Sequence, residues 1–580
     1  MLYFSVLFTL YLTVVPTKIY QTRLNKLSVC FLSFVVVYLL IFTSIAEYFF
    51  FDEFNVRFNF IAVDYLIYTN EVIKNIRESY GLPLLMSAIG VISLFLLLSL
   101  RKFFYNSFND KTGFRLRVQK GLLFLALPLL SFSFVDLSFT KMSADPYANE
   151  LSANGIYNFF AAFMNNQIDY ESFYATKNNK LVFEKLRELL REPNSTFVTT
   201  DIFDISRYIK NDGKERRLNV VVIIVESLSA EYLGAFGNKS AITPNLDLLA
   251  GEGLLFTNMH ATGTRTDRGL ESITLSIPPT PGRSMLKRPG NENMFSWGSI
   301  MRCRGYDTKF LYGGYGYFDN MNYFFGHNGF ETIDRRDIAK SNIHFENAWG
   351  ICDEDLFHKA VTEFNTSNKN NKPFFAEIMT TSNHRPYTYP ENKIDIPSHT
   401  GRNGAVKYTD YAIGKFIKDA KKEPWFKDTI FVIVADHCAS SAGKTKLPEK
   451  KYQIPLLIYS PAYVIPGRID KLASQIDLAP TVLGLLNFSY ESRFFGKDLL
   501  KLQKEEEKAL IGTYEKLGYI KGDRLLVLDV NKENTMYRFD RSTGKAEQIS
   551  VDKNMLDEAI SYYQSASYLY RHKGLKESCQ

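Results

Sequence analysis

Nowhere in this chain do cysteines stand at a C-x-x-C or similar metal-binding spacing. The five present, Cys30, Cys303, Cys352, Cys438 and Cys579, lie far apart, which excludes a structural zinc finger or ribbon. Dense runs of lysine and arginine are missing too. A net charge of +7 over 580 residues does not make the basic stripe by which a nucleic-acid binder neutralises phosphates. No internal repeat or low-complexity tract interrupts the chain, so neither a solenoid nor a disordered scaffold is indicated. The first apolar stretch has no positively charged segment ahead of it and no small-residue cleavage site, which argues against a signal peptide. What is plentiful is aromatic sequence. With 47 Phe and 35 Tyr, the composition suits a protein that partly lives in a membrane.

Four apolar stretches fill the N-terminal quarter: Met1–Val15, Leu27–Phe50, Leu82–Leu100 and Gly121–Phe139. The last three have the roughly 20 residues needed to cross a bilayer's hydrocarbon core. The first is short and reads as a clipped span or one with its N-terminus outside. Loop charges set the orientation. Thr17–Lys26 carries Lys18, Arg23 and Lys26 with no acid, and Arg101–Lys120 carries six basic residues against Asp110. The Phe51–Gly81 loop between them has five acids against three bases. By the positive-inside rule the basic loops are cytoplasmic and the acidic one external. Residues 1–140 are thus expected to form a transmembrane helical domain of about four spans, with everything beyond it extracytoplasmic. An even number of spans would put the N-terminus outside as well, and one further N-terminal span is expected to be missing from this reading frame. Cysteines 303, 352, 438 and 579 would then face an oxidising compartment, where a disulfide and buried free thiols are equally compatible with their spacing.

Residues 141–217 read as a helical connector, with helical periodicity at Ile156–Gln167 and Leu181–Arg191, the second stopped by Pro193-Asn194-Ser195. A solvated Asn-Asp-Gly-Lys-Glu-Arg-Arg run at 211–217 closes it. Beyond it, β-branched runs alternate with helical segments: Val220–Val225, Leu254–Phe256, Thr308–Tyr312, Phe374–Met379, Ile430–Ala435 and Pro455–Tyr459. One helix is expected to start at Thr243-Pro244. This pattern predicts an α/β domain over 218–500, with a mostly parallel sheet covered on both faces. Residues 501–580 read as a C-terminal subdomain packed on it, with a Lys/Glu-rich helix at Leu500–Leu510, a hairpin near Leu525–Phe539 and an amphipathic terminal helix.

Ligands of open parallel sheets bind outside the carboxyl ends of the strands. Val220–Val225 runs into Glu226-Ser227, Ile430–Ala435 into Asp436-His437, and Phe374–Met379 into Thr380-Thr-Ser-Asn-His384-Arg-Pro-Tyr387. The strand at Leu254 leads to HATGTRTDRGLES, His260–Ser272. Singly, Glu226 could cap a helix and Asp436-His437 could open a polar loop. Together at successive strand ends, two carboxylates and an imidazole suit one divalent cation such as Mn²⁺ or Zn²⁺. Thr266 falls at a helix start, where backbone N–H groups stabilise an anion. An ordinary threonine N-cap accounts for that position equally well. A nearby cation would favour an alkoxide nucleophile there, and Thr264 is the rival hydroxyl that spacing does not separate.

NVVVIIVESLSAEYLGAFG, TPNLDLLAGEGLLFTNMHATGTRTDRGLES, TTSNHRPY, VADH and SQIDLAPTVLGLL, in that order, resemble the sulfatase/alkaline phosphatase superfamily. Within it they are most similar to the lipoteichoic acid synthase-like phosphoglycerol transferases, which place membrane spans before an external catalytic domain. The resemblance implies that Glu226, Thr266, Asp436 and His437 bind one divalent metal ion, Mn²⁺ foremost, with Zn²⁺ or Mg²⁺ as alternatives. It makes Thr266 the nucleophile and has His384 contact the substrate phosphate or assist the leaving group. A multi-pass protein of a bacterial cytoplasmic membrane follows, with a phospholipid donor (phosphatidylglycerol foremost), a glycan or glycerophosphate acceptor, and no nucleic acid. Phosphoethanolamine transfer on the same site, a soluble-substrate phosphodiesterase and a non-catalytic lipid-binding protein are the alternatives. The chain departs from the family twice. The C/S-x-P-x-R segment of true sulfatases does not occur, and Phe318 and Asn320 in GGYGYFDNMNYFFGHNGF stand near the family's glycerophosphate-holding Trp and Arg. Arg265 and Arg268 beside Thr266 are candidates to replace that contact, with Arg268 assigned to substrate binding.

Overall fold

Seven residues in a row, Asn219–Val225, form a strand buried along its whole length (β1). A strand with no exposed face must lie mid-sheet with helices on both sides, and β1 does. In the computed structural model the described residues are 4–577, other than 55, 110–111, 136–138, 140–142, 144–145, 165–167, 441–445 and 541–544. They group into two units, one of residues 1–67 and 76–164, the other of residues 68–75 and 165–580.

The first unit is helical. Three of its helices are long and apolar enough to cross a membrane: Arg23–Asp52, Leu82–Ser99 and Phe114–Phe134. Among the described residues, the first apolar stretch, expected as a fourth span, forms the helix Phe4–Val14, of 11 residues. At 1.5 Å per residue it covers about half of a ~30 Å hydrocarbon core. Its C-terminal carbonyls are capped from another helix, by the guanidinium of Arg117 donating to Val15 O at 2.7 Å. The helix Gly155–Met164 falls where Ile156–Gln167 predicts one, with 165–167 outside the described residues.

The second unit is built on a nine-stranded mixed sheet. Its strands are β1, β2 (Leu254–His260), β3 (Asp307–Tyr312), β4 (Glu331–Ile333), β5 (Phe374–Met379), β6 (Thr429–Ala435), β7 (Gln453–Tyr459), β8 (Gly467–Ile469) and β9 (Ala473–Ser474). The order is β8-β2-β7-β6-β1-β5-β3-β4, with β9 also paired to β2. β6, β1, β5, β3 and β4 run parallel. β7 is antiparallel to both its neighbours, so β2 on its far side points the same way as β6. The carboxyl ends of β1, β2, β5 and β6 therefore share one edge of the sheet.

Residues 179–190 form the helix predicted at Leu181–Arg191, and the chain then enters two short strands, Ser195–Phe197 and Arg207–Ile209. Arg207–Ile209 pairs with both Ser195–Phe197 and Tyr490–Ser492, so residues 179–217 hold strands as well as a helix. The Leu500–Leu510 helix does not form. Only Lys504–Glu506 make a single 3-10 turn, and Ala509–Gly512 join a five-stranded antiparallel sheet as an edge strand. Ala509, Leu510 and Ile511 are fully buried there, so tertiary burial overrides a helix-favouring composition. Arg524–Leu528 and Asn534–Asp540 form the predicted hairpin, and Lys553–Arg571 the terminal helix. None of Cys30, Cys303, Cys352 and Cys438 is in a disulfide among the described residues. Cys579 lies outside them.

One core acid underpins the sheet edge. Glu377 of β5 is fully buried and accepts hydrogen bonds from Thr274 Oγ1 at 2.7 Å and Trp297 Nε1 at 2.8 Å. Burial pushes its pKa up to about 7. A folded-state pKa raised above the unfolded value contributes stability that is full below the unfolded pKa and is lost as pH rises through the folded one. The stability of wild type relative to Glu377→Gln is therefore expected to fall by roughly 2–3 kcal/mol between pH ~4.5 and ~7 and then level off. Thermal unfolding of both proteins across that window checks it; parallel curves would refute it.

Candidate metal centre and nucleophile

The three sequence-predicted ligands meet at that edge. Glu226 follows β1 and Asp436-His437 follow β6, and one ligand atom from each lies within 4.8 Å of the others. All three are buried. Ser227 sets the geometry by adopting a left-handed backbone, φ 51°, a strained state for a non-glycine residue. Its N–H then donates to Asp436 Oδ1 at 2.8 Å and its hydroxyl to Glu226 Oε1 at 2.7 Å. His437 N–H donates to the same Oδ1 at 2.6 Å. Asp436 Oδ2 is buried with no hydrogen-bond partner among the described residues.

The imidazole of His437 is oriented as a metal ligand would be. Its Nδ1 lies 2.7 Å from the Cys438 carbonyl, which can only accept, so Nδ1 carries the proton and Nε2 presents a lone pair. That lone pair stands 3.5 Å from Asp436 Oδ2 and 3.8 Å from Glu226 Oε1. Burial pushes Glu226 up to about 7 and Asp436 up to about 6, and holds His437 below its ordinary value. Three buried acceptors facing one another are mutually repulsive unless a cation or a proton sits among them. The donor set of two carboxylate oxygens and one imidazole, with an orphaned oxygen, fits a divalent metal.

Thr266 reaches this cluster. It is the first residue of the helix Thr266–Leu275 (α1), whose N-cap is Arg265. The helix start is where the sequence predicts it, but Thr266 does not cap it. Its Oγ1 donates to Glu226 Oε2 at 3.2 Å instead. Close seating is made by Gly269, where a Cβ would lie 2.3 Å from the Asp436 carbonyl oxygen. No hydrogen bond joins Thr264 to Glu226, Asp436 or His437 among the described residues.

Comparison with known proteins follows the same lines. A sulfatase family model matches residues 218–488. Lipoteichoic acid synthase 2 of Bacillus subtilis is 24% identical over 345 residues, covering 53% of this chain and 52% of that protein. Phosphoglycerol transferase I of Escherichia coli is 29% identical over 271 residues, covering 43% and 35%. The chain thus matches about half the length of these curated relatives, or less. A crystal structure of an alkaline phosphatase superfamily protein from Vibrio parahaemolyticus is 35% identical with a TM-score of 0.66, covering 70% of this chain and 100% of that one. This chain belongs to the alkaline phosphatase superfamily. The fold is also that of the lipoteichoic acid synthase LtaP from Listeria monocytogenes, at a TM-score of 0.54 and 20% identity over 67% of this chain and 98% of that one.

The structure also places the remaining predicted residues. His384 Nδ1 lies 3.2 Å from the Arg385 carbonyl, which again makes Nε2 the acceptor. Burial drives this imidazole down to about 3, so it is neutral. The Trp349 ring lies against it at 3.7 Å and Phe318 meets Trp349 edge-on at 5.4 Å. Trp349 Nε1 donates to Arg385 O at 2.5 Å, tying the His384 loop down. An indole from the segment Glu346–Ile351 therefore packs on His384, and Phe318 packs on that indole. Asn320 donates to Leu286 O at 2.6 Å. Arg268 is turned inward: it is buried, pairs with Glu271 at 3.1 Å and donates to Gly282 O.

Sequence reading passes over several supports. Asn383 donates to Glu226 O at 2.8 Å. Gln475 donates to Ala435 O and Asp436 O at 2.8 and 2.7 Å and accepts from Thr262 N at 2.9 Å, joining three loops. Both lie inside the TTSNHRPY and SQIDLAPTVLGLL motifs, and that position was the signal that could have found them.

Proposed function

We propose that this chain is a membrane-anchored, metal-dependent transferase that moves a phosphoglycerol-type head group from a phospholipid, phosphatidylglycerol foremost, to a glycan or glycerophosphate hydroxyl outside the cytoplasm. The observation that carries this reading is the Thr266 hydroxyl, held on Glu226 at a helix N-terminus beside Asp436 and His437. The basic loops at 17–26 and 101–120 support an external catalytic unit on a bacterial cytoplasmic membrane. Lipid substrates and membrane helices belong together because the head group lies at the interface. The relatives named lipoteichoic acid synthase and phosphoglycerol transferase I favour this head group over phosphoethanolamine.

Glu226, Asp436, His437 and Thr266 would hold the cation, Mn²⁺ in this reading, which supplies positive charge that lowers the hydroxyl pKa and offsets charge on phosphoryl oxygens. Thr266 Oγ1 attacks phosphorus. The Oγ1–P bond forms, the P–O bond to diacylglycerol breaks, and diacylglycerol leaves as the alcohol with the proton Thr266 gives up. An acceptor hydroxyl then attacks the same phosphorus, the Oγ1–P bond breaks, and the acceptor's proton returns to Thr266. Neutral His384, with Nε2 as acceptor, suits a hydrogen bond from that incoming hydroxyl. The N-terminal N–H groups of α1 stabilise the phosphoryl oxygens.

Incubating the purified full chain, Mn²⁺ and detergent with radiolabelled phosphatidylglycerol or phosphatidylethanolamine tests the reading. Diacylglycerol is expected from phosphatidylglycerol. Release from phosphatidylethanolamine alone would replace the head group, and release from neither would overturn the function.

A further inference from the structure

Arg402 was singled out by nothing in the sequence, and it is the oddest charge near the site. It opens the helix Arg402–Ala420 (α2), directly after Gly401 at φ 134°. That turn brings the guanidinium over the Tyr387 ring, 4.9 Å from its centre. Tyr387 closes the TTSNHRPY loop that carries His384. The Arg402 charge is felt at both His384 and His437, where it opposes protonation of each imidazole.

Its partners do not match its cost. Arg402 Nη1 is buried and meets no acceptor, and the guanidinium pairs with no carboxylate among the described residues. Other cations near the site are paired. Arg268 has Glu271, and Lys287 lies between Asp267 and Asp319 at 3.0 and 2.8 Å. A cation over an aromatic face recovers only part of the hydration it gives up. It uses the flat face of the guanidinium and leaves the in-plane N–H groups unspent. An enclosed charged donor left without an acceptor costs more than that contact returns. A half-buried guanidinium whose enclosed Nη1 has no protein acceptor is suited to an anion brought by a ligand, and its planar geometry matches phosphate oxygens.

We infer that Arg402 is a substrate-binding residue whose in-plane N–H groups receive a phosphate oxyanion on the His384–His437 side of the site. The phosphate is either the diester that reacts or one carried by the acceptor. This takes its substrate class from the transferase reading above, but its measurement does not require transfer.

The test is thermal unfolding of the full-length, Mn²⁺-loaded chain in detergent, with and without inorganic phosphate. Phosphate is expected to raise the wild-type Tm, as any ligand of the folded state does. Arg402→Gln should shrink that rise to the equivalent of at least tenfold weaker binding, and Arg402→Lys, which keeps the charge but not the fork, should fall between. Without phosphate, Arg402→Gln should melt at or above wild type, since it removes an enclosed Nη1 that has no acceptor. An arginine serving only to brace Tyr387 would give the opposite pattern, a lower Tm with the phosphate increment intact. An unchanged increment in Arg402→Gln, or none in wild type, overturns the inference.

Two further arms locate the phosphate. A higher KM for bis(p-nitrophenyl) phosphate in Arg402→Gln assigns the oxyanion to the reacting diester. An unchanged KM with weaker inhibition by glycerol 1-phosphate assigns it to the acceptor. The transferase reading fails separately, through absence of diacylglycerol from every lipid while the phosphate increment and its loss persist.

Discussion

Thr266→Ala is expected to abolish diacylglycerol release, by roughly 10³-fold or more, while the protein inserts and folds as wild type. The two halves of this expectation rest on different observations. The loss follows from the hydroxyl's position, 3.2 Å from Glu226 Oε2 at the start of α1; among the described residues the other hydroxyls bonded to the three ligands are those of Ser227, on the Glu226 carboxylate, and Thr380, which accepts from Glu226 N. Ser227 is committed to Glu226 and its backbone to Asp436, so it is built into the ligand scaffold. Intact folding follows because Thr266 is not the N-cap and makes no capping bond. Alanine at a first helical position is also well tolerated. Thr264→Ala serves as the control and should retain most activity. A head-group adduct on Thr266, seen by mass spectrometry after incubation with donor lipid and no acceptor, is the direct signature. Normal diacylglycerol release by Thr266→Ala would remove Thr266 from the mechanism.

Much of this site is legible in the sequence because it is made of strand ends. A run such as Asn219–Val225, with no polar residue after Asn219 until Glu226, can only be a central strand, and the first polar residue after it must stand at the sheet's edge. The same logic places Asp436 and His437. It works for β2 only through topology, since two antiparallel pairings restore its direction. Residues that arrive from elsewhere are illegible by that logic. Trp349 comes from a short hairpin and Arg402 from a helix start, and nothing in local periodicity says that the first meets His384 or the second Tyr387. Arg268 illustrates the reverse error. Its place beside the nucleophile suggests a phosphate contact, but a helical residue two positions on faces another way, here toward Glu271 and Gly282 O. The segment Leu500–Leu510 has helical composition yet pairs as a strand at Ala509–Gly512, because its neighbours, not its own residues, offer the burial.

The second large effect belongs to Asp436. Asp436→Asn preserves the shape of the residue, and the Oδ1 that accepts from Ser227 N and His437 N has an amide oxygen to replace it. The orphaned Oδ2 becomes an NH₂, a donor 3.5 Å from the lone pair on His437 Nε2. The substitution thus satisfies locally what the wild type leaves unsatisfied, and it deletes the negative charge a cation needs. Bound Mn²⁺ is expected to fall from about one per chain to under a tenth, and transfer by roughly 10³-fold or more. Metal-free Asp436→Asn should melt no lower than metal-free wild type at pH 8, where the wild-type carboxylates are ionised and unneutralised. Protons compete for the same oxygens. Because burial raises Glu226 to about 7 and Asp436 to about 6, wild-type Mn²⁺ affinity should climb as pH rises through that range, as those protons are displaced. Elemental analysis of protein dialysed at pH 5.5, 6.5 and 7.5 reads both effects. Full metal content in Asp436→Asn, or a content indifferent to pH, would mean that the cation lies elsewhere. Retained transfer by the metal-free variant would mean that the Thr266 hydroxyl needs no cation.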